Sequence, residues 1–127
     1  MEQETRKETL RRLFTANNLV SEDVFKHQHY TIITRQGIDK IQAASKIEIQ
    51  YSIVNLSDDH SHCLIKATGI MGDKRIETYG EASPKNNRNA YPVAMAEKRA
   101  MSRIVLKLAG FYELGIFGED ESDDFKK

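Results

Sequence analysis

The chain has 127 residues, 30% of them charged, and its 19 basic and 19 acidic side chains cancel. That size suits one domain with one modest core; no apolar run approaches the roughly 18 residues of a membrane span, and Met1-Glu2-Gln3-Glu4 lacks the basic start and apolar stretch of a signal peptide. The lone Cys63 excludes an internal disulfide framework and agrees with a reducing compartment, so the expected location is the cytoplasm.

In chain order, residues 3–17 read as a helix with a short apolar stripe at Leu10, Leu13 and Phe14 among charges, stopped at Asn17-Asn18. Ser21-Glu22-Asp23 resembles a helix start. Residues 28–34, rich in Tyr, Thr and Ile, suit a short strand. Thr34 is placed to cap a helix over 35–45 that carries Ile38, Ile41 and Ala44 on one face. From 47 to 53, Ile47, Ile49, Tyr51 and Ile53 alternate with Glu48, Gln50 and Ser52, the period of a strand with one buried face. Ser57-Asp58-Asp59 makes a turn, 62–71 a second strand, Gly72-Asp73 a hairpin and 74–82 a third strand. Three neighbouring strands with short connections imply an antiparallel meander.

Pro92 opens a last helix over 92–109, where its missing N–H does no harm, and Gly110 closes it. Projected at about 100° per residue, Val93, Ala96, Ala100, Met101, Ile104, Val105 and Leu108 share one broad face. Met95 and Leu106 fall opposite, beside Arg99 and Ser102, and an apolar second side points to a further contact such as a neighbouring subunit. Glu97 projects into the apolar face, where a carboxylate needs a partner, so a salt bridge to a basic residue of the sheet is expected.

The segment 78–110 gathers positive charge in a neutral chain. From Lys85 to Lys107 the charges are Lys85, Arg88, Lys98, Arg99, Arg103 and Lys107 against Glu97 alone, with Tyr79 and Tyr91 close by. Gathered charge beside aromatics suits an anionic, stackable ligand, with single-stranded nucleic acid the leading candidate. Arg99, Arg103 and Lys107 follow one another at i, i+4 steps and read as one basic ridge. The stretch 119–127 holds five acids and two lysines, leaving the body with 17 basic and 14 acidic residues. Such a tail is suited to competing for a basic groove or recruiting a partner, and equally to being a solvated disordered end.

Other chemistry is sparse. The histidines form two His-x-His pairs, His27 with His29 and His60 with His62, and i, i+2 spacing on a strand would point each pair one way, as a zinc site needs. Nothing in the sequence brings the pairs together, so no metal or cofactor is expected. Thr68-Gly69-Ile70-Met71-Gly72 is a strand end and not a phosphate loop. No paired-acid motif is present, and an enzyme is disfavoured.

A helix, a three-stranded meander and a long basic helix in this order resemble the single-strand annealing proteins of the Rad-fifty-two type and their small phage relatives. The residues that carry the resemblance are Thr78-Tyr79-Gly80, the polar loop after it, and Ala96-Glu97-Lys98-Arg99-Ala100 through Arg103-Ile104-Val105-Leu106-Lys107 to Gly110. The resemblance spans residues 28–112. It implies a groove for single-stranded DNA in which Arg103 and Lys107 match basic groove positions, and Arg35 and Lys40 add backbone contacts. Ile104 departs from the family, which often has another basic residue there. The Gly80-Glu81-Ala82-Ser83-Pro84 and Ala96–Ala100 stretches are also similar to phage and mobile-element reading frames.

The expectation is therefore an α+β protein: an N-terminal helical segment over 1–27, an α+β core over 28–112 with a long basic helix on the sheet, and a disordered acidic tail over 113–127. It is expected to be a non-enzymatic, homo-oligomeric protein that binds or anneals single-stranded DNA. Arg35, Lys85, Arg88, Arg99, Arg103 and Lys107 would meet phosphates, Tyr91 would stack on a base, and the acidic tail would meet a host replication or recombination protein. The alternative is a small oligomeric protein-interaction module without nucleic-acid binding. A third reading is a metal-dependent hydrolase built on the His-x-His pairs.

Overall fold

A computed structural model of the chain describes residues 5–27, 30–84 and 91–120. Helix α1 spans Arg6–Ala16; the Thr5 hydroxyl caps it by accepting from the Glu8 N–H at 3.1 Å. It stops at Asn17, a buried residue whose side chain donates to Leu13 O (2.8 Å) and accepts from the Ser45 hydroxyl (2.7 Å). One amide thus closes α1 and ties it to the end of α2.

A 3₁₀ turn, Ser21–Asp23, leads into strands β1 (Val24–His27) and β2 (Tyr30–Ile33), which pair antiparallel. The Asp23 carboxylate is buried there, and it accepts from Lys40 Nζ (2.7 Å) and from the Val20 N–H (2.9 Å). Thr34 caps α2 (Arg35–Ala44) by accepting from the Gly37 N–H at 3.1 Å, as expected for a threonine at that position. The meander follows as β3 (Glu48–Leu56), β4 (Cys63–Met71) and β5 (Lys74–Ala82), antiparallel in the order β3-β4-β5. Helix α3 runs Pro92–Ala109, with proline in its first turn and Gly110 in the left-handed region (φ 91°) at its end.

After α3, a 3₁₀ turn (Tyr112–Leu114) leads to β6 (Ile116–Gly118), which pairs parallel with β2 and completes a second three-stranded sheet, β1-β2-β6. Residues 113–120 are thus part of the fold, and the expected tail loses its first eight residues to it. The N-terminal segment is likewise not helical throughout, since β1 lies within 1–27. These strands of three and four residues hold together as a sheet because a distant segment joins the local β1–β2 pair: Thr31 sits opposite Ile116.

The two sheets explain the two-sided helix. The meander covers one side of α3, while α2 and β6 pack on the other, where Leu106 and Ser102 are fully buried. The second apolar side is filled by the chain's own elements and needs no neighbouring subunit. Approach to the meander is close because both surfaces are small. A Cβ at Gly80 would lie 2.1 Å from Ala96 O and 2.4 Å from Ala100 N, so β5 and α3 touch backbone to backbone. Ile38, Ile41, Ile104, Val105 and Phe111 belong with Ala96 and Ala100 to one buried core.

Candidate nucleic-acid interface

The expected basic ridge of α3 is divided by its environment. Arg99 is buried, 1% exposed, with Nη1 on Glu81 O at 2.7 Å and Nε on Asp120 O at 3.4 Å. Arg103 donates to both Glu81 carboxylate oxygens (2.9 and 3.1 Å) and to Tyr79 O (2.7 Å). These hydrogen bonds, against partial burial and helped by the charges of Arg103 and Arg99, hold the Glu81 carboxyl below its ordinary range. Tyr79 and Glu81 stand on β5, an edge strand whose carbonyls would otherwise be open to a foreign strand. Two guanidinium groups occupy these two carbonyls instead, blocking the Ala82 end of that edge. Arg99 therefore cannot reach a phosphate, and Arg103 is committed to β5. A helical wheel misses this because it treats α3 as lying on one surface, whereas Arg99 falls between two.

Lys107 is exposed, with Nζ 5.3 Å from the centre of the Tyr112 ring. Tyr112 meets Phe117 edge-on at 5.4 Å, and Phe117 meets Tyr30 edge-on at 5.5 Å. Arg35, at the start of α2, stands among acids: Asp39 and Asp120 each lie 3.7 Å from its guanidinium, and its backbone N–H donates to Glu119 (2.7 Å). Tyr91 is 70% exposed just before α3. Lys85 and Arg88 fall outside the described residues. The structure thus does not gather the expected site residues into one groove.

Glu97 is exposed, contrary to its place on the wheel. The first turns of α3 lie over β4 and β5 and leave the far end of β3 uncovered. Tyr51 and Ile53 point to the α3 side of the sheet yet are 40% and 57% exposed. The buried face expected of this strand is not formed: no residue of β3 is buried, Ile49 and Leu56 are half-buried, and the buried Ile47 precedes the strand. Burial pushes the Tyr51 phenol up, and the Glu97 carboxylate adds to it. Val54, where the β3–β4 register shifts, is also exposed (53%). One edge of the meander is therefore blocked at its Ala82 end by arginines, and the other exposes Tyr51, Ile53 and Val54.

The His60–His62 loop is held by a carboxylate. Asp59 accepts from the Ser61 hydroxyl (2.7 Å), the Ser57 hydroxyl (2.8 Å) and the Ser61 N–H (3.1 Å), which lower its carboxyl to about 2. His62 Nδ1 lies 2.9 Å from the Ser61 hydroxyl. Among the described residues no three His, Cys, Asp or Glu side chains are grouped to hold a metal; His29 is outside them.

A cationic cleft lies where the sequence offered no motif. Helix α1 and strands β1 and β2 border an open cleft of about 710 Å³. Leu10, Phe14, Val24 and Phe25 give it an apolar lining, and Arg6, Lys7, Arg11 and Lys26 give it four cations, with no carboxylate among the described residues that line it. Phe25 is 40% exposed. Arg6 donates to Leu114 O and Phe14 packs on Phe111 at 6.1 Å, so the far end of the chain holds α1 in place. The cations come from two elements distant in the fold's hydrogen bonding, so neither α1 nor β1 alone announces the cleft.

Comparison of the chain with protein-family models, curated proteins and solved structures gives no match. No helix among the described residues is long and apolar enough to cross a membrane.

Proposed function

We propose that the chain is a non-enzymatic, cytoplasmic single-stranded DNA-binding protein of the annealing kind its element order resembles, and that the α1–β1 cleft is its principal contact. The supporting observation is the pairing of four cations with an apolar, partly aromatic lining and no acid among the described residues. Backbone phosphates would run along Lys7, Arg11 and Lys26 while bases lie against Phe25, a stacking contact worth roughly 1–3 kcal/mol per base. Lys107, with the loop residues Lys85, Arg88 and Tyr91, would extend the track. The strand is held chiefly through charge, so sequence preference is weak and salt dependence steep.

The test is fluorescence anisotropy of labelled oligo-dT and of a matching duplex at two salt concentrations. Wild type should prefer the single strand. Lys7→Glu/Arg11→Glu should weaken binding about tenfold or more and flatten the salt dependence, because two phosphate contacts are lost. Equal binding by the folded double variant would sink the cleft assignment, and no binding by wild type at low salt would sink the DNA reading altogether.

The second reading, an oligomeric interaction module, rests on the open edge of β3 with Tyr51, Ile53 and Val54 exposed. With the β5 edge blocked at Tyr79 and Glu81, strand-to-strand association of the meander would run through β3. Sedimentation of Ile53→Lys against wild type tests this: association unchanged by the lysine would remove β3 from any interface.

A further inference from the structure

The cleft between α1 and β1 has a chemical counterpart within the chain. Residues 121–127, Glu121-Ser122-Asp123-Asp124-Phe125-Lys126-Lys127, lie outside the described residues and place three carboxylates just before one aromatic ring. The cleft presents the inverse, cations at Lys7, Arg11 and Lys26 beside an apolar lining that includes Phe14 and Phe25. We propose that this acidic segment is a resident occupant of the cleft, with Glu121, Asp123 and Asp124 against the cations and Phe125 against the apolar lining. As a regulatory device the inference rests on the cleft being the nucleic-acid site; the docking itself does not.

The register of the small sheet makes the reach short. Gly118 pairs with Ile33, and Ile33 pairs with Val24, which lines the cleft. Two strand spacings, roughly 10 Å, separate Gly118 from Val24. The segment starts from a fixed point. Asp120 accepts from the Ser102 hydroxyl at 2.9 Å and lies 3.7 Å from the Arg35 guanidinium, and Glu119 accepts from the Arg35 N–H at 2.7 Å. Five extended residues from Asp120 to Phe125 span about 17 Å, enough to cross the sheet. Glu119 and Asp120 are already engaged, so the three carboxylates beyond them are the ones left for the cleft. Phosphates and these carboxylates would compete for the same cations, and a bound strand would displace the segment.

Zero-length carbodiimide cross-linking of the full chain tests this, since it joins a carboxylate to a lysine amine only when they are in contact. Cross-links from Glu121, Asp123 or Asp124 to Lys7 or Lys26 are expected at low salt. Their yield should fall about fivefold in Arg11→Glu. It should fall also in Phe125→Ala, which leaves every carboxylate in place. A mixture of light and isotope-labelled chains shows whether the segment enters its own cleft, as its short reach requires; cross-links formed only between light and labelled chains would overturn the proposal. Cross-links confined to other lysines, such as Lys98 or Lys107, would overturn it. Adding oligo-dT separates the two readings: loss of the cross-links supports competition at the cleft. Cross-links that persist while the oligonucleotide is bound overturn the competition and place the strand elsewhere, with the docking intact.

Discussion

The two cationic stretches of this chain have opposite fates. The one on α3 is conspicuous in sequence, six basic residues against one acid from Lys85 to Lys107, yet its central arginines are used to build the fold. Arg99 is enclosed by backbone carbonyls and Arg103 by Glu81. The one on α1 is shorter and unremarkable in sequence, yet its cations line an open cleft beside Phe25. The difference is a matter of what surrounds each helix. Helix α3 lies between two sheets, so a side chain that leaves one surface meets the other. Helix α1 has no fully buried residue, and its charged sides stay in water.

That contrast predicts that α3 arginines carry stability and α1 cations carry binding. Arg99→Met should have the largest effect, about 3 kcal/mol, because it leaves buried carbonyls of β5 and Asp120 without a charged donor. Urea unfolding followed by circular dichroism measures it, and a change below 1 kcal/mol would mean that Arg99 is not the tie between β5 and the β6 end. Gly80→Ala should cost about 2 kcal/mol by prising α3 from the meander, since its Cβ would collide with the backbone at Ala96. Anisotropy titration of the folded variant should show unchanged affinity for oligo-dT.

Arg103→Ala should cost about 1 kcal/mol, a figure held down by the 46% exposure of the Glu81 side chain. This loss has a pH signature. The Glu81 carboxyl is lowered in the folded state, so its contribution is fully present above the ordinary carboxylate value of 4.5 and disappears as pH falls through the folded value. Stability of wild type and variant should therefore converge in acid; a gap that stays constant would show that Arg103 acts by packing alone. The smallest stability effect is expected from Lys7→Glu/Arg11→Glu, within about 0.5 kcal/mol, because both side chains are exposed and away from the core.

Much of the architecture was legible because it is written locally. Pro92 and Gly110 bound α3, Thr34 caps α2, and the 74–82 alternation gives the whole of β5. Strands β1 and β6 were not legible, since three or four residues carry too little periodicity, and β6 in addition takes its partner, β2, from far along the chain. The candidate site suffered more. Arg99 and Glu97 exchanged expected environments, one buried and one exposed, because a wheel ranks positions around an axis and not along it: α3 is enclosed in its middle and open at its first turns. The α1 cleft draws on two elements, and no single window of sequence contains it.

Helix α1 is fastened by Phe111 and by Leu114, whose carbonyl lies 108 positions downstream of Arg6. During synthesis, the residues that form the cleft leave the ribosome well before the residues that set them in place. Contacts of such span form late in folding. A nascent chain therefore carries the cations of α1 without the shaped surface they belong to until Phe111 and Leu114 have emerged.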